Sequence, residues 1–182
     1  MKEFAFKDSI NGNDLRAFRE MHGLSRVTMS SFLNVSSRTL EGWENAGKDI
    51  TGPVVTLFRI IKEYPELLEK YKIPKRDYPL RMYYMKNGDI NTLIDVDIIN
   101  RKVKFINYTN NLLDRAFGPK ESVTYKEFEE FLESRCFPRT RDKIKIELDR
   151  LGLPFYDPLM IVEKTKGKLF DDDYYIEIER ER

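Results

Sequence analysis

Over the first part of the chain, apolar positions recur three and four residues apart, the period of an amphipathic helix. The run "NDLRAFREMHG" puts Leu15, Phe18 and Met21 on one face, with Asn13 the expected N-cap and Gly23 the stop. "SRVTMSSFL" follows with Ser25 as cap and Val27, Met29, Phe32 and Leu33 apolar. After the polar turn "NVS", the helix "SRTLEGWEN" carries Leu40 and Trp43 three apart and meets a stop at Gly47. "GPVVTLFRIIKEY" begins with Pro53 in the first turn and runs to Tyr64, and "PELLEKY" adds one further turn.

Beyond "KIPKRDYP" the period shortens to that of strands. "LRMYYMK" and "INTLIDVDI" flank an Asn-Gly hairpin signal, and "KVKFINYT" gives a third strand. In "TYKEFEEFLESRCF", Thr124 and Glu127 have capping-box spacing, and Phe128, Phe131 and Leu132 form the buried stripe. Two more helices are expected in "TRDKIKIELDRLG", closed by Gly152, and "DPLMIVEKTKG", with Asp157 as cap, Pro158 in the first turn and Gly167 as stop. "DDDYYIEIE" reads as a closing strand. The fold class expected is α then α+β. A helix-turn-helix bundle over residues 1–71 is followed by a linker, 72–79, and an antiparallel β-meander packed with helices over 80–182.

Composition narrows the function. Charged residues make up 35% and apolar ones 41%, which fits a soluble globular protein, and the formal net charge of +1 advertises no nucleic acid globally. No apolar run reaches the about 18 residues of a membrane span and the N-terminus lacks a signal-peptide core, so a cytoplasmic protein without a membrane role is expected. Cys136 and His22 are each the sole residue of their type, which excludes an internal disulfide framework and leaves too few ligands for zinc. Their separation between the two expected domains argues against a Cys-His nucleophile, and no catalytic residue, metal or cofactor is assigned. Asp171, Asp172 and Asp173 lack the spacing of a calcium loop and read as a solvated turn.

The stretch "LRAFREMHGLSRVTMSSFLNVSSRTLEGWENAGKDITGP" resembles the helix-turn-helix of phage-repressor (XRE-like) proteins, especially antitoxins of the HigA type. "GLS" supplies a turn and cap, Ser30 is small where two helices cross, Val35 anchors the turn, and Leu40 and Trp43 face inward. The resemblance implies that the third helix enters the major groove, with Ser37 and Arg38 facing bases and Arg26, Ser36, Thr39 and Asn45 meeting phosphates. Arg38 alone is long enough for a bidentate contact, typically to guanine. Two departures stand out: Asn34 replaces the usual turn Gly, and Gly42 sits where relatives place a base-reading side chain. Because Glu41 and Glu44 offset Arg26 and Arg38, a single head should bind weakly, and a homodimer on double-stranded DNA is expected.

Two charge features remain in the second half. Arg135, Arg139, Arg141, Lys143 and Lys145 crowd a helix start, and Asp171 to Asp173 open an acidic tail with aromatics. All except Lys145 are taken as candidate contacts to a protein partner. The region "SRCFPRTRDKIKIELDRLGLPFYDPLMIVEKTKGKLFDDDYYIEI" is similar to a small module of Firmicutes found beside or within HipA-like kinase systems. It carries no ATP-binding or catalytic-loop motif, which implies an interaction domain. The first functional reading is therefore a sequence-specific DNA-binding autorepressor from a toxin–antitoxin or mobile-element context, its second domain binding a toxin. The alternative is an anti-CRISPR protein that inhibits a Cas9-type effector, since some such proteins resemble this two-part layout. A nuclease using the Asp cluster is the third.

Overall fold

The structure is a computed structural model that describes residues 5–47 and 49–180. Helices come early and the main sheet late, and the chain divides into two compact units, Met1–Ile73 and Pro74–Arg182.

The first unit begins with strand β1 (Ser9–Asn11) and helix α1 (Gly12–Met21). Helices α2 (Arg26–Phe32) and α3 (Ser37–Ala46) follow, then strand β2 (Asp49–Thr51), α4 (Pro53–Glu63) and the short α5 (Glu66–Lys70). β1 and β2 pair antiparallel, with Ile10 opposite Ile50 and both buried. Leu15, Phe18, Met29, Leu40, Phe58 and Ile61 form the core these helices share.

Asn11, not Asn13, caps α1: its side chain accepts from the Asn13 N–H at 2.9 Å and donates to the Gly47 carbonyl at 2.9 Å. One amide thus joins the start of α1 to the end of α3. Backbone contact there is close enough that a Cβ on Gly12 would lie 1.9 Å from the Trp43 carbonyl oxygen. Two residues expected on apolar inner faces point outward instead, Met21 at 80% exposure and Val27 at 69%. Each lies beyond the arc of its helix that neighbouring elements cover. Leu24, Val27, Phe32, Leu68, Tyr71 and Ile73 line an open groove of about 380 Å³.

The second unit is built on a four-stranded antiparallel sheet. Its strands are β3 (Leu80–Lys86), β4 (Asp89–Asp97), β5 (Lys102–Asn107) and β6 (Tyr174–Arg180), in the order β5-β4-β3-β6. The expected meander holds for β3 to β5, and β6 returns to flank β3. Met82 stands opposite Ile94, and Tyr84 opposite Ile176, on the face that meets α6 (Tyr125–Ser134) and α8 (Pro158–Thr165). Phe128, Phe131, Leu132, Ile161 and Val162 fill that layer. Thr124 and Glu127 form the capping box expected from their spacing.

Helix α7 (Ile144–Leu151) starts later than its sequence pattern predicts. Lys143 takes a left-handed conformation at φ 58°, which no helix continues through, so 138–143 is a loop. The stretch 72–79 is mostly exposed, but from Pro74 on it is fastened to the second unit. The Pro74 carbonyl accepts from Arg81 at 2.8 Å, the Asp77 N–H donates to Asp95 at 2.8 Å, and Arg76 pairs with Glu179 at 2.6 Å. Arg81 and Asp95, both buried, form a bidentate pair with 2.7 Å contacts. Their spare hydrogen-bonding capacity is what ties this stretch to the sheet.

Candidate nucleic-acid interface

Four residues, Leu33 to Ser36, separate α2 from α3. Leu33 is buried, Asn34 turns the chain at φ 53°, and the Val35 N–H bonds back to the Ser30 carbonyl at 2.9 Å. Asn tolerates that left-handed conformation, so it serves where Gly was expected. Ser36 then caps α3, accepting from the Thr39 N–H at 3.0 Å. Where the helices cross, the Ser30 and Ser37 hydroxyls lie 2.9 Å apart, a contact that larger side chains would prevent. Leu40 is fully buried and Trp43 packs half-buried against the same core.

The buried face of α3 also holds a charge. Glu44 is 2% exposed, and its carboxylate takes Arg19 Nε at 2.6 Å and Nη2 at 3.0 Å, plus Arg26 Nε at 2.8 Å. Burial works to raise the Glu44 pKa, but the hydrogen bonds from Arg19 and Arg26 outweigh it and hold the carboxyl below its ordinary value. The hydrogen bond to Glu44 correspondingly raises Arg19. In the sequence Glu44 reads only as a charge offsetting Arg26 and Arg38. The available signal was its spacing of four from Leu40, which puts it on the inner face.

The outward face of α3 carries Ser37, Arg38, Glu41, Gly42 and Asn45, all exposed. Arg38 makes no hydrogen bond or ion pair among the described residues. Ser36 and Thr39 are exposed but bonded to each other, their hydroxyls 2.7 Å apart. Arg26 keeps 38% of its side chain exposed, and one terminal nitrogen lies 3.7 Å from Glu41. Of the six residues expected to meet DNA, Ser36, Ser37, Arg38, Thr39 and Asn45 are exposed and Arg26 is partly so. No Cβ neighbour lies within 4 Å of Gly42, so that part of the surface is open.

The candidate partner contacts of the second unit do not stay together. Arg135 is 6% exposed and turns inward, giving Nη1 to Asp172 at 2.6 Å, Nη2 to Asp172 at 2.9 Å and Nε to the Gly167 carbonyl at 3.0 Å. Arg135 and Asp172 are thus a structural pair, which corrects their assignment to a contact surface. The pairing holds the Asp172 carboxyl below its ordinary value. Arg139, Arg141 and Lys143 remain exposed on the 138–143 loop. Arg139 pairs with Glu133 at 2.6 Å and lies over the Tyr156 ring. Asp171 and Asp173 are exposed, and no cluster of three metal-ligating side chains forms among the described residues. Cys136 is buried, and burial pushes its thiol up to about 12, the opposite of an activated nucleophile. No helix among the described residues is long and apolar enough to cross a membrane.

Comparison with known proteins adds one relation. Sixty residues of the chain, 33% of its length, are 35% identical to Antitoxin HigA-2 of Vibrio cholerae serotype O1 (strain ATCC 39315 / El Tor Inaba N16961). The match spans 58% of that relative's own length. No protein-family model matches the chain. No solved structure matches it. The chain is therefore similar, over one third of its length, to a protein named as an antitoxin.

Proposed function

We propose that the first unit binds double-stranded DNA by setting the start of α3 in the major groove, and that the chain is an antitoxin-like autorepressor rather than an enzyme. The observation that carries this is the outward face of α3. Arg38 stands there with no hydrogen bond or ion pair among the described residues, on a helix whose inner face is locked by Leu40, Trp43 and Glu44. A side chain that reads a base edge needs a rigid support and no internal partner, and Arg38 has both. The 35% identity to an antitoxin over 60 residues supports the same reading.

One head offers a single strong reader and an empty position at Gly42. Two copies on half-sites about one helical turn apart would supply the affinity one head lacks. The second unit is then free for a protein partner of the toxin class, and Arg139, Arg141 and Lys143 with Asp171 and Asp173 are the exposed contacts it offers. The inhibitor of a Cas9-type effector rests on the two-part layout alone, and no structural observation adds to it.

The test is a mobility-shift titration of the DNA upstream of the chain's own gene. Arg38→Ala should weaken specific binding by roughly ten- to a hundredfold, the value of one bidentate base contact. Unchanged binding would remove α3 from the groove. Co-purification with the product of a neighbouring toxin-like reading frame tests the second unit.

A further inference from the structure

The outward surface of the first unit contains one unfinished ion pair. Glu44 carries one negative charge between two guanidiniums. Arg19 takes both of its oxygens, while Arg26 reaches it only through Nε, at 2.8 Å. The two terminal nitrogens of Arg26 have no hydrogen-bond acceptor among the described residues. One of them lies 3.7 Å from Glu41, beyond hydrogen-bond length, and Glu41 is itself 53% exposed. Glu20, 3.4 Å from Arg19 Nη2, balances the Arg19 side of the cluster, so the edge left without a hydrogen-bonded anion among the described residues is the solvent end of Arg26, beside the outer face of α3. A planar guanidinium anchored through Nε, with its terminal edge open, suits a tetrahedral oxyanion better than a second carboxylate at 3.7 Å does.

We propose that Glu44 positions Arg26 as a clamp for one DNA phosphate, and that Glu41 is the resident competitor which this phosphate displaces. The proposal rests on the DNA reading above. Arg26 touches the ligand, Glu44 is a positioning residue acting through it, and Glu41 limits affinity.

The experiment titrates the full chain with a mixed-sequence DNA duplex by fluorescence anisotropy across a series of salt concentrations. Wild type is compared with Arg26→Gln, Arg26→Lys, Glu41→Gln and the Arg26→Gln/Glu41→Gln double variant. All four changes lie at partly exposed positions and leave the Arg19–Glu44 pair in place. Each phosphate contact adds about 0.9 to the slope of log K against log[salt], so Arg26→Gln should flatten that slope by about one. Arg26→Lys keeps the charge but not the Nε–H that Glu44 holds, and should bind nearly as weakly as Arg26→Gln. Glu41→Gln should tighten binding several-fold in wild type and leave the Arg26→Gln background unchanged. An unchanged slope in Arg26→Gln overturns the clamp. Recovery of wild-type affinity by Arg26→Lys overturns positioning by Glu44. Equal tightening by Glu41→Gln with and without Arg26 overturns the competition. Failure of wild type to bind the duplex at low salt would overturn the DNA reading itself.

Discussion

Two corners of this molecule are organised by an arginine and a carboxylate, and they differ in what is left over. In the second unit, Arg135 meets Asp172 with two nitrogens and gives two further N–H groups to the Gly167 and Tyr174 carbonyls. Only 7% of its side chain is exposed, and the pair is electrically closed. In the first unit, Glu44 is divided between Arg19 and Arg26, and 38% of the Arg26 side chain remains at the surface. The same chemistry is a staple in one corner and an open connector in the other. Which of these an arginine becomes depends on whether its terminal nitrogens meet acceptors within the fold, as those of Arg135 do and those of Arg26 do not among the described residues.

The largest way to break this comparison is to delete a partner from each corner. Glu44→Ala would leave two guanidiniums facing one another at a buried site, and should destabilise the first unit by about 3–5 kcal/mol. Arg135→Met should cost the second unit about 3 kcal/mol, the lower end of that range, since Asp172 keeps 24% of its side chain in water. Trp43 is the only tryptophan, so its fluorescence in urea follows the first unit, and circular dichroism follows the whole chain. Equal losses in both signals from either variant would mean that the units do not unfold separately.

Acid should act on both corners in the same direction. Glu44 and Asp172 are each held below their ordinary values. A carboxyl whose folded value is depressed adds stability above its unfolded value and loses it as the pH falls through the folded one. Both units should therefore keep their full stability near neutrality and lose it progressively below about pH 4. Urea midpoints measured from neutral pH down to about 3 check the direction; a midpoint that rises on acidification contradicts it.

These corners also show where the sequence was readable. Apolar spacing located the helices because Leu15, Phe18, Leu40, Phe128 and Ile161 fall where one face must be buried. Caps were legible where the side chain has one local task, as at Ser25, Thr124 and Asp157. What escaped reading was any outcome decided by a distant residue. Strands β1 and β2 have three residues each, and their pairing is set by partners some 40 positions apart, as in Ser9 with Thr51. Glu44 and Arg135 read as surface charges because only the fold brings Arg19 and Asp172 to them. The six residues expected to meet DNA lie within α2, the turn and α3, the segment whose family resemblance named them.

A smaller effect separates two glycines, Gly12 at the start of α1 and Gly42 within α3. Gly12 is a glycine because its backbone presses on Trp43, and an added Cβ would have to displace a main-chain carbonyl 1.9 Å away. Gly12→Ala should therefore cost about 1–3 kcal/mol, the range for overpacking, and shift the Trp43 fluorescence transition to lower urea. A neutral result would mean that α1 and α3 can slide apart at that crossing.

Gly42, on α3, is the reverse case and the mildest test. Nothing lies within 4 Å of the Cβ it lacks, and its backbone is ordinary helix, so no packing or conformational reason requires glycine there. Gly42→Ala should raise the stability of the first unit by about 1 kcal/mol through helix propensity alone. The informative measurement is DNA affinity in the same variant. Should it stay within about twofold of wild type, the open space at Gly42 is idle, and Arg38 and Arg26 carry the surface between them. A large loss would mean that DNA backbone or a base edge approaches α3 closely enough to fill the gap. The glycine would then be part of the fit, and the connector built around Arg26 would extend across the whole outer face of the helix.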